Sequence, residues 1–133
     1  MSLVTVATLR VLYADTDQMG VVNNVNYLRW FEIGRAEWLR QRGKPYKELE
    51  AEGYLLPVVE AHLRYRQPAR YDDVVEIAGG PSEVRAASFK FEYVLRRSGD
   101  GVLLCEGWTT HACVTPAGAV RRLPESLSRL LAG

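Results

Sequence analysis

The 133-residue sequence has few of the residues that build metal clusters and disulfide frameworks. It holds two cysteines, Cys105 and Cys113, and two histidines, His62 and His111. No Cys-x-x-Cys pair occurs, and the histidines fall on separate predicted strands without Cys-rich spacing, which argues against a zinc site. Were both cysteines on one extended strand, eight residues at about 3.3 Å each would hold them ~26 Å apart, far beyond the ~7 Å Cα reach of a disulfide. They are expected to be reduced thiols in or near the core, which fits a cytoplasmic protein. His111 shares its strand parity with Cys113, but same-side strand neighbours ordinarily pack together, so a thiol nucleophile is not expected.

Excess charge is missing too. Lys+Arg 17 against Asp+Glu 16 leaves a formal net charge of +1, which excludes a nucleic-acid binder that relies on bulk charge but leaves room for a local basic patch. Long apolar runs are absent: the longest stretch without a formal charge, 107–120, is too short and too polar to span a bilayer. The N-terminus carries no charged leader. There is no Gly-x-Gly-x-x-Gly, no P-loop and no Gly-x-Ser-x-Gly, so a doubly wound nucleotide-binding fold and an α/β-hydrolase serine mechanism are both disfavoured. No repeat or linker divides the chain, and residues 1–133 read as one domain.

What is present is a balanced globular composition, 47% hydrophobic and 25% charged. A chain of this length buries roughly two-thirds of its unfolded surface and needs no staple. Residues 3–13 read as a strand whose apolar parity shifts between Val4/Val6 and Leu9/Val11/Tyr13, the mark of a bulge or a twist. The segment 15–20 reads as a turn. A long helix is predicted over 26–42, with Asn24 and Asn26 as candidate caps and Gly43 with Pro45 as the stop. Tyr27, Trp30, Phe31, Gly34 and Trp38 form its apolar stripe, with Leu28 and Leu39 at the edge. Gly34 is either a point of close approach to a sheet or a tolerated small residue. A short helix over 45–52 follows.

Period-two alternation then takes over. Val59, Ala61, Leu63 and Tyr65 are expected on a dry face opposite Glu60, His62, Arg64 and Arg66. Further strands are predicted over 73–78, over 83–97 with Arg85 on the parity of Phe89 and Phe91, and over 102–115. Ser98-Gly99-Asp100-Gly101 makes a hairpin turn, Thr115-Pro116-Ala117-Gly118 turns into 119–123, and 124–131 closes the chain as a helix. One dominant helix with four or five tightly connected strands predicts an α+β fold.

The chemistry concentrates before the long helix. Asp15 and Asp17 precede a helix start, where unpaired backbone N–H groups and a partial positive charge can stabilise an oxyanion. A carboxylate beside such donors can attack a carbonyl or activate water. Both acids also suit turn and cap roles, and Asp15 reads as structural.

The run Tyr13-x-Asp15-x-Asp17-x-x-Gly20-Val21-Val22, followed by Asn26-Tyr27 and a helix bearing Trp30-Phe31-Glu32, resembles the 4-hydroxybenzoyl-CoA thioesterase branch of the hotdog-fold acyl-CoA thioesterases. Leu56-Pro57-Val58-Val59, 68–73 (Pro-Ala-Arg-Tyr-Asp-Asp) and Arg85 with Ser88-Phe89 extend the resemblance over residues 8–125. It implies a long helix wrapped by a curved antiparallel sheet of about five strands. It also implies hydrolysis of an acyl-CoA substrate without cofactor or metal. Asp17 matches the family's nucleophile or general base, and the backbone N–H of Asn24 its oxyanion donor. Asn26, Tyr27, Arg85 and Ser88 match substrate-binding positions, with Arg85 the best candidate for the phosphates of CoA. Family sites form between protomers, so the resemblance implies a homodimer or a homotetramer built as a dimer of dimers. The long strands with alternating faces fit that expectation, since an edge strand left unpaired is a liability. Many relatives carry His where this chain has Asn24, and Asn cannot shuttle a proton near neutral pH. A non-catalytic acyl-CoA-binding module is the alternative reading; a hotdog dehydratase lacks a His–Glu pair at the helix start.

Overall fold

The computed structural model describes residues 3–133; Met1 and Ser2 fall outside the described residues. The elements run β1 (Val4–Arg10), a 3-10 turn (Tyr13–Asp15), α1 (Val25–Gln41), α2 (Tyr46–Ala51), β2 (Val58–Tyr65), β3 (Val74–Ser82), β4 (Ser88–Arg97), β5 (Leu103–Ala112) and α3 (Glu125–Ala132). The strands form one five-stranded sheet in the order β1-β3-β4-β5-β2, antiparallel throughout. This is the expected α+β arrangement, with α1 laid on one face of the sheet.

The stripe on α1 explains the seating. Tyr27, Trp30, Phe31, Gly34 and Trp38 are all buried, and each large apolar side chain removed from water contributes about 1.5–3 kcal/mol. Phe31 stacks on Tyr93 at 4.1 Å between ring centroids, and Trp38 meets Phe91 edge-on at 5.7 Å. Phe89, Phe91, Tyr93 and Leu95 all point inward from β4, as strand alternation requires. At Gly34 a Cβ would lie 2.7 Å from Ile77 Cγ2. The glycine is therefore a point of close approach between helix and sheet, not a tolerated gap.

The parity shift in β1 is a bulge at Val6, between the pairs Thr5↔Ala78 and Ala7↔Ile77, and Val6 itself turns into the core. Three expectations need correction. Neither Asn24 nor Asn26 caps α1 through its side chain; Asn23 does so, its Oδ1 accepting from Val25 N–H at 3.2 Å. Asn26 is one residue inside the helix and faces inward. Arg85 is not on a strand. Glu83 takes φ 46°, which breaks the ladder after Ser82, and β4 begins only at Ser88. Finally, the expected dry face of β2 is wet: Val59 is 63% exposed and Tyr65 51%. The alternation is real, but β2 is an edge strand paired only with β5, and on that face only Leu63 and one side of Tyr65 pack against the rest of the chain.

Candidate active site

A small hairpin carries both acids to the start of α1. Asp17 N–H donates to Val21 C=O at 2.9 Å, Thr16 pairs with Val22, and Asn23 N–H donates to Asp15 C=O at 2.8 Å. Gly20 closes the turn at φ 78°, a left-handed conformation that glycine adopts freely. The two acids part company here. Asp15 is buried: its Oδ2 accepts from Leu12 N–H at 2.9 Å, and Arg29 Nη1 lies 3.7 Å from its Oδ1. It fixes the turn, as its position implied. Asp17 is exposed, and its Oδ1 accepts from Met19 N–H at 2.8 Å. No hydrogen bond occupies its Oδ2 among the described residues.

The helix start is just as specific. Val25 N–H goes to the Asn23 side chain, Asn26 N–H to Asn23 C=O and Tyr27 N–H to Asn24 C=O. Asn24 N–H alone in this turn has no acceptor among the described residues. Asn26 and Tyr27, two of the expected substrate contacts, are turned inward beneath it. Asn26 Nδ2 donates to Asp15 C=O at 3.1 Å while its Oδ1 accepts from Arg29 at 2.6 Å. Tyr27 Oη accepts from Ala69 N–H at 3.0 Å, and burial raises the pKa of its phenol. Tyr65, at the end of β2, donates to Asn24 C=O at 3.4 Å and packs edge-on against Tyr27.

Arg85 and Ser88 lie apart from the acids but together with each other. Both line a surface cavity of about 400 Å³ that also carries Lys90 and Trp108. The Arg85 side chain is 72% exposed and is 4.0 Å from Glu83. A second cavity, of about 350 Å³, opens beside the later turns of α1 and is lined by Glu32, Arg35, Leu39, Leu56, Val58 and Phe89 among others.

The sequence profile of the thioesterase-like superfamily matches residues 11–131, nearly the whole chain. The chain belongs to the thioesterase-like superfamily. It is a thioester hydrolase of the hotdog fold. The acyl-CoA thioester hydrolase YbgC of Escherichia coli is 33% identical over 120 residues, covering 90% of this chain and 89% of its own. The hypothetical protein TT1821 of Thermus thermophilus is 40% identical with a TM-score of 0.87, over 95% and 93% of the two chains. The 1,4-dihydroxy-2-naphthoyl-CoA thioesterase Slr0204 of Synechocystis matches in fold alone, at 23% identity and a TM-score of 0.88 over 95% and 93%.

This thioesterase-like chain also contains a buried polar relay that sequence reasoning did not find. His111 Nδ1 lies 3.0 Å from Leu56 C=O, an acceptor only, so Nδ1 carries the proton. Burial, aided by Arg35, holds its pKa down at about 4, so the ring is neutral and Nε2 accepts from Thr109 Oγ1 at 2.8 Å. Thr109 in turn accepts from Tyr93 Oη at 2.7 Å, and Tyr93 accepts from Arg35 Nη1 at 2.8 Å. Polar residues at inward strand parity, Thr109 and His111, were the available signal. Among the described residues no group of three or more His, Cys, Asp or Glu could hold a metal ion, and no helix is long and apolar enough to cross a membrane.

Proposed function

We propose that the chain hydrolyses acyl-CoA thioesters at the start of α1, with Asp17 as the reacting acid and Asn24 N–H as the oxyanion donor. The observation that carries this reading is the unspent N–H of Asn24 on the same small hairpin as a carboxylate with one free oxygen. Asn24 N–H polarises the thioester carbonyl. Asp17 then either adds its own oxygen to the carbonyl carbon, giving a mixed anhydride that water cleaves, or takes a proton from a water that adds instead. In both routes the C–S bond breaks, the electron pair leaves on sulfur, and CoA departs as the thiolate. Asn26, Tyr27 and Arg29 support the donor from beneath and need not touch substrate. Arg85, Ser88 and Lys90, on their own surface cavity apart from the acids, receive the CoA phosphates, a few local cations doing what the net charge of +1 does not.

The same reading takes the 133 residues as one catalytic domain of a cytoplasmic protein, which the two unpaired buried cysteines support. It takes the working unit as a homodimer or a dimer of dimers, supported by the open edge of β2 and its exposed Val58, Val59 and Tyr65. In the test, Asp17→Asn is expected to lower thiol release from an acyl-CoA panel by about a thousandfold, within the usual range for removing a general base. Undiminished release would overturn the assignment. Single turnover in heavy-oxygen water detects the anhydride route where water opens the anhydride at the Asp17 carboxyl carbon, because only that path leaves the label in Asp17.

A further inference from the structure

The cavity beside Glu32 and Arg35 lies far from Asp17 within one chain. Eleven residues of helix separate Asn24 from Arg35, about 16 Å at ~1.5 Å per residue. Antiparallel pairing of two β2 edges about a two-fold axis changes that relation. Tyr65, at the end of β2, touches Asn24; Val58, at its start, lines the cavity. In such a pair the Tyr65 end of one copy lies beside the Val58 end of the other. The Arg35 cavity of each copy therefore adjoins the Asn24 N–H of its neighbour.

Arg35 is built to stay charged and available there. It is half-buried, makes no ion pair within 4.0 Å among the described residues, and spends one of its five N–H donors on Tyr93. The relay behind Tyr93 runs through Thr109 and His111 to Leu56 C=O and contains no carboxylate, so it orients the guanidinium without neutralising it. Glu32 stands exposed on the rim and is not paired with Arg35. Most of the remaining wall, Leu39, Leu56, Val58 and Phe89 among it, is apolar, and the Tyr46 hydroxyl there accepts from Leu56 N–H. An apolar body with a distal carboxylate fits both parts, since guanidinium–carboxylate pairs are bidentate and charge-assisted.

Resting on the hydrolase reading above, we propose that this cavity is the acyl pocket of the neighbouring copy's site, and that Arg35 selects acyl groups ending in a carboxylate. Wild-type kcat/KM is expected to favour suberoyl-CoA over octanoyl-CoA by about tenfold. Arg35→Gln is expected to bring that ratio to one or below, and Glu32→Gln to raise it. Mixed dimers of Asp17→Asn chains with Arg35→Gln chains decide the geometry. If the site is shared, one of its two sites regains both Asp17 and Arg35, and about half the wild-type suberoyl-CoA activity returns. That recovery also shows the Arg35→Gln chains to be folded.

Preference for octanoyl-CoA, a preference that survives Arg35→Gln, or mixed dimers no better than the Arg35→Gln parent would each overturn the proposal. If wild type releases thiol from neither ester nor from any other member of the acyl-CoA panel, the reading of a hydrolytic site at Asp17 fails. The pocket is then judged by free suberate. Shifts of the Tyr93 and His111 resonances that vanish in Arg35→Gln sustain it, and no shifts refute it.

Discussion

On the sheet-facing side of α1, Phe31 is fully buried and stacks on Tyr93; Leu28, three residues earlier on the flank toward β2, is 43% exposed. The two sides differ in kind. The sheet-facing side is aromatic and closed by β3 and β4 of the same chain. The other side mixes Leu28, Glu32 and Arg35, borders the open edge of β2, and carries the cavity. Stability is supplied by the first side within one copy. The second side is left incomplete within one copy, and it is the side on which the proposed specificity pocket lies.

Truncation should separate the sides most sharply. Phe31→Ala removes a fully buried ring and is expected to cost about 4 kcal/mol of unfolding free energy in a denaturant melt. Leu28→Ala should stay within about 0.5 kcal/mol. Comparable losses at both positions would erase the distinction.

A smaller effect should come from pH, acting on the closed side alone. His111 is buried and held near a pKa of about 4, against 6.5 for an ordinary histidine. Above the unfolded value both states are neutral and nothing is lost. As pH falls from 6.5 toward 4, the unfolded chain binds a proton that the folded chain refuses, so stability declines with acidification. The full drop is roughly 3 kcal/mol at ~1.4 kcal/mol per pKa unit. Thermal melts across this range should show it, and His111→Gln should flatten the curve. An unchanged slope in that variant would mean that His111 is not the group responsible.

Charge on the open side should act through assembly. Val59→Lys places a cation on the exposed edge strand, where burying a valine in a partner contact is worth about 1.5–3 kcal/mol. Self-association measured by sedimentation should weaken by about tenfold, with the melt of the single chain unmoved. A matching fall in unfolding free energy would show that Val59 belongs to the closed side.

These contrasts also explain what could be read in advance. The stripe on α1, the bulge in β1 and the hairpin at 98–101 are local signals, written in period and turn chemistry. They appear where expected. β3 was expected to end at Ala78, but Gly79, Gly80 and Pro81 continue the ladder opposite Tyr93, Glu92 and Phe91, because β4 holds the backbone extended along all three and β1 pairs with Gly79. Arg85 was placed on a strand because parity cannot see a positive φ at Glu83. The acids of the site were legible from their motif. Asn23 as cap, Tyr65 as clamp and the Arg35 relay were not, since each joins residues far apart in sequence through side-chain geometry. The wet face of β2 misled for a further reason: alternation marks two unlike faces and does not show that the chain itself covers one of them.

The smallest effect expected is none at all, and it tests how tightly the closed side is sealed. Cys105 is fully buried, and burial pushes its thiol up to about 12. At pH 8 that leaves about one thiolate in ten thousand, and the thiolate is the reactive form. Burial raises Cys113 as well. In native buffer an aromatic disulfide reagent should therefore label neither residue on the timescale on which it labels a free thiol. Labelling should rise with denaturant in step with global unfolding. Early labelling of Cys105, ahead of the melt, would mean that β5 parts locally from β4 or β2. Arg35 would then be oriented by a relay, through Tyr93, Thr109 and His111, that opens with that strand.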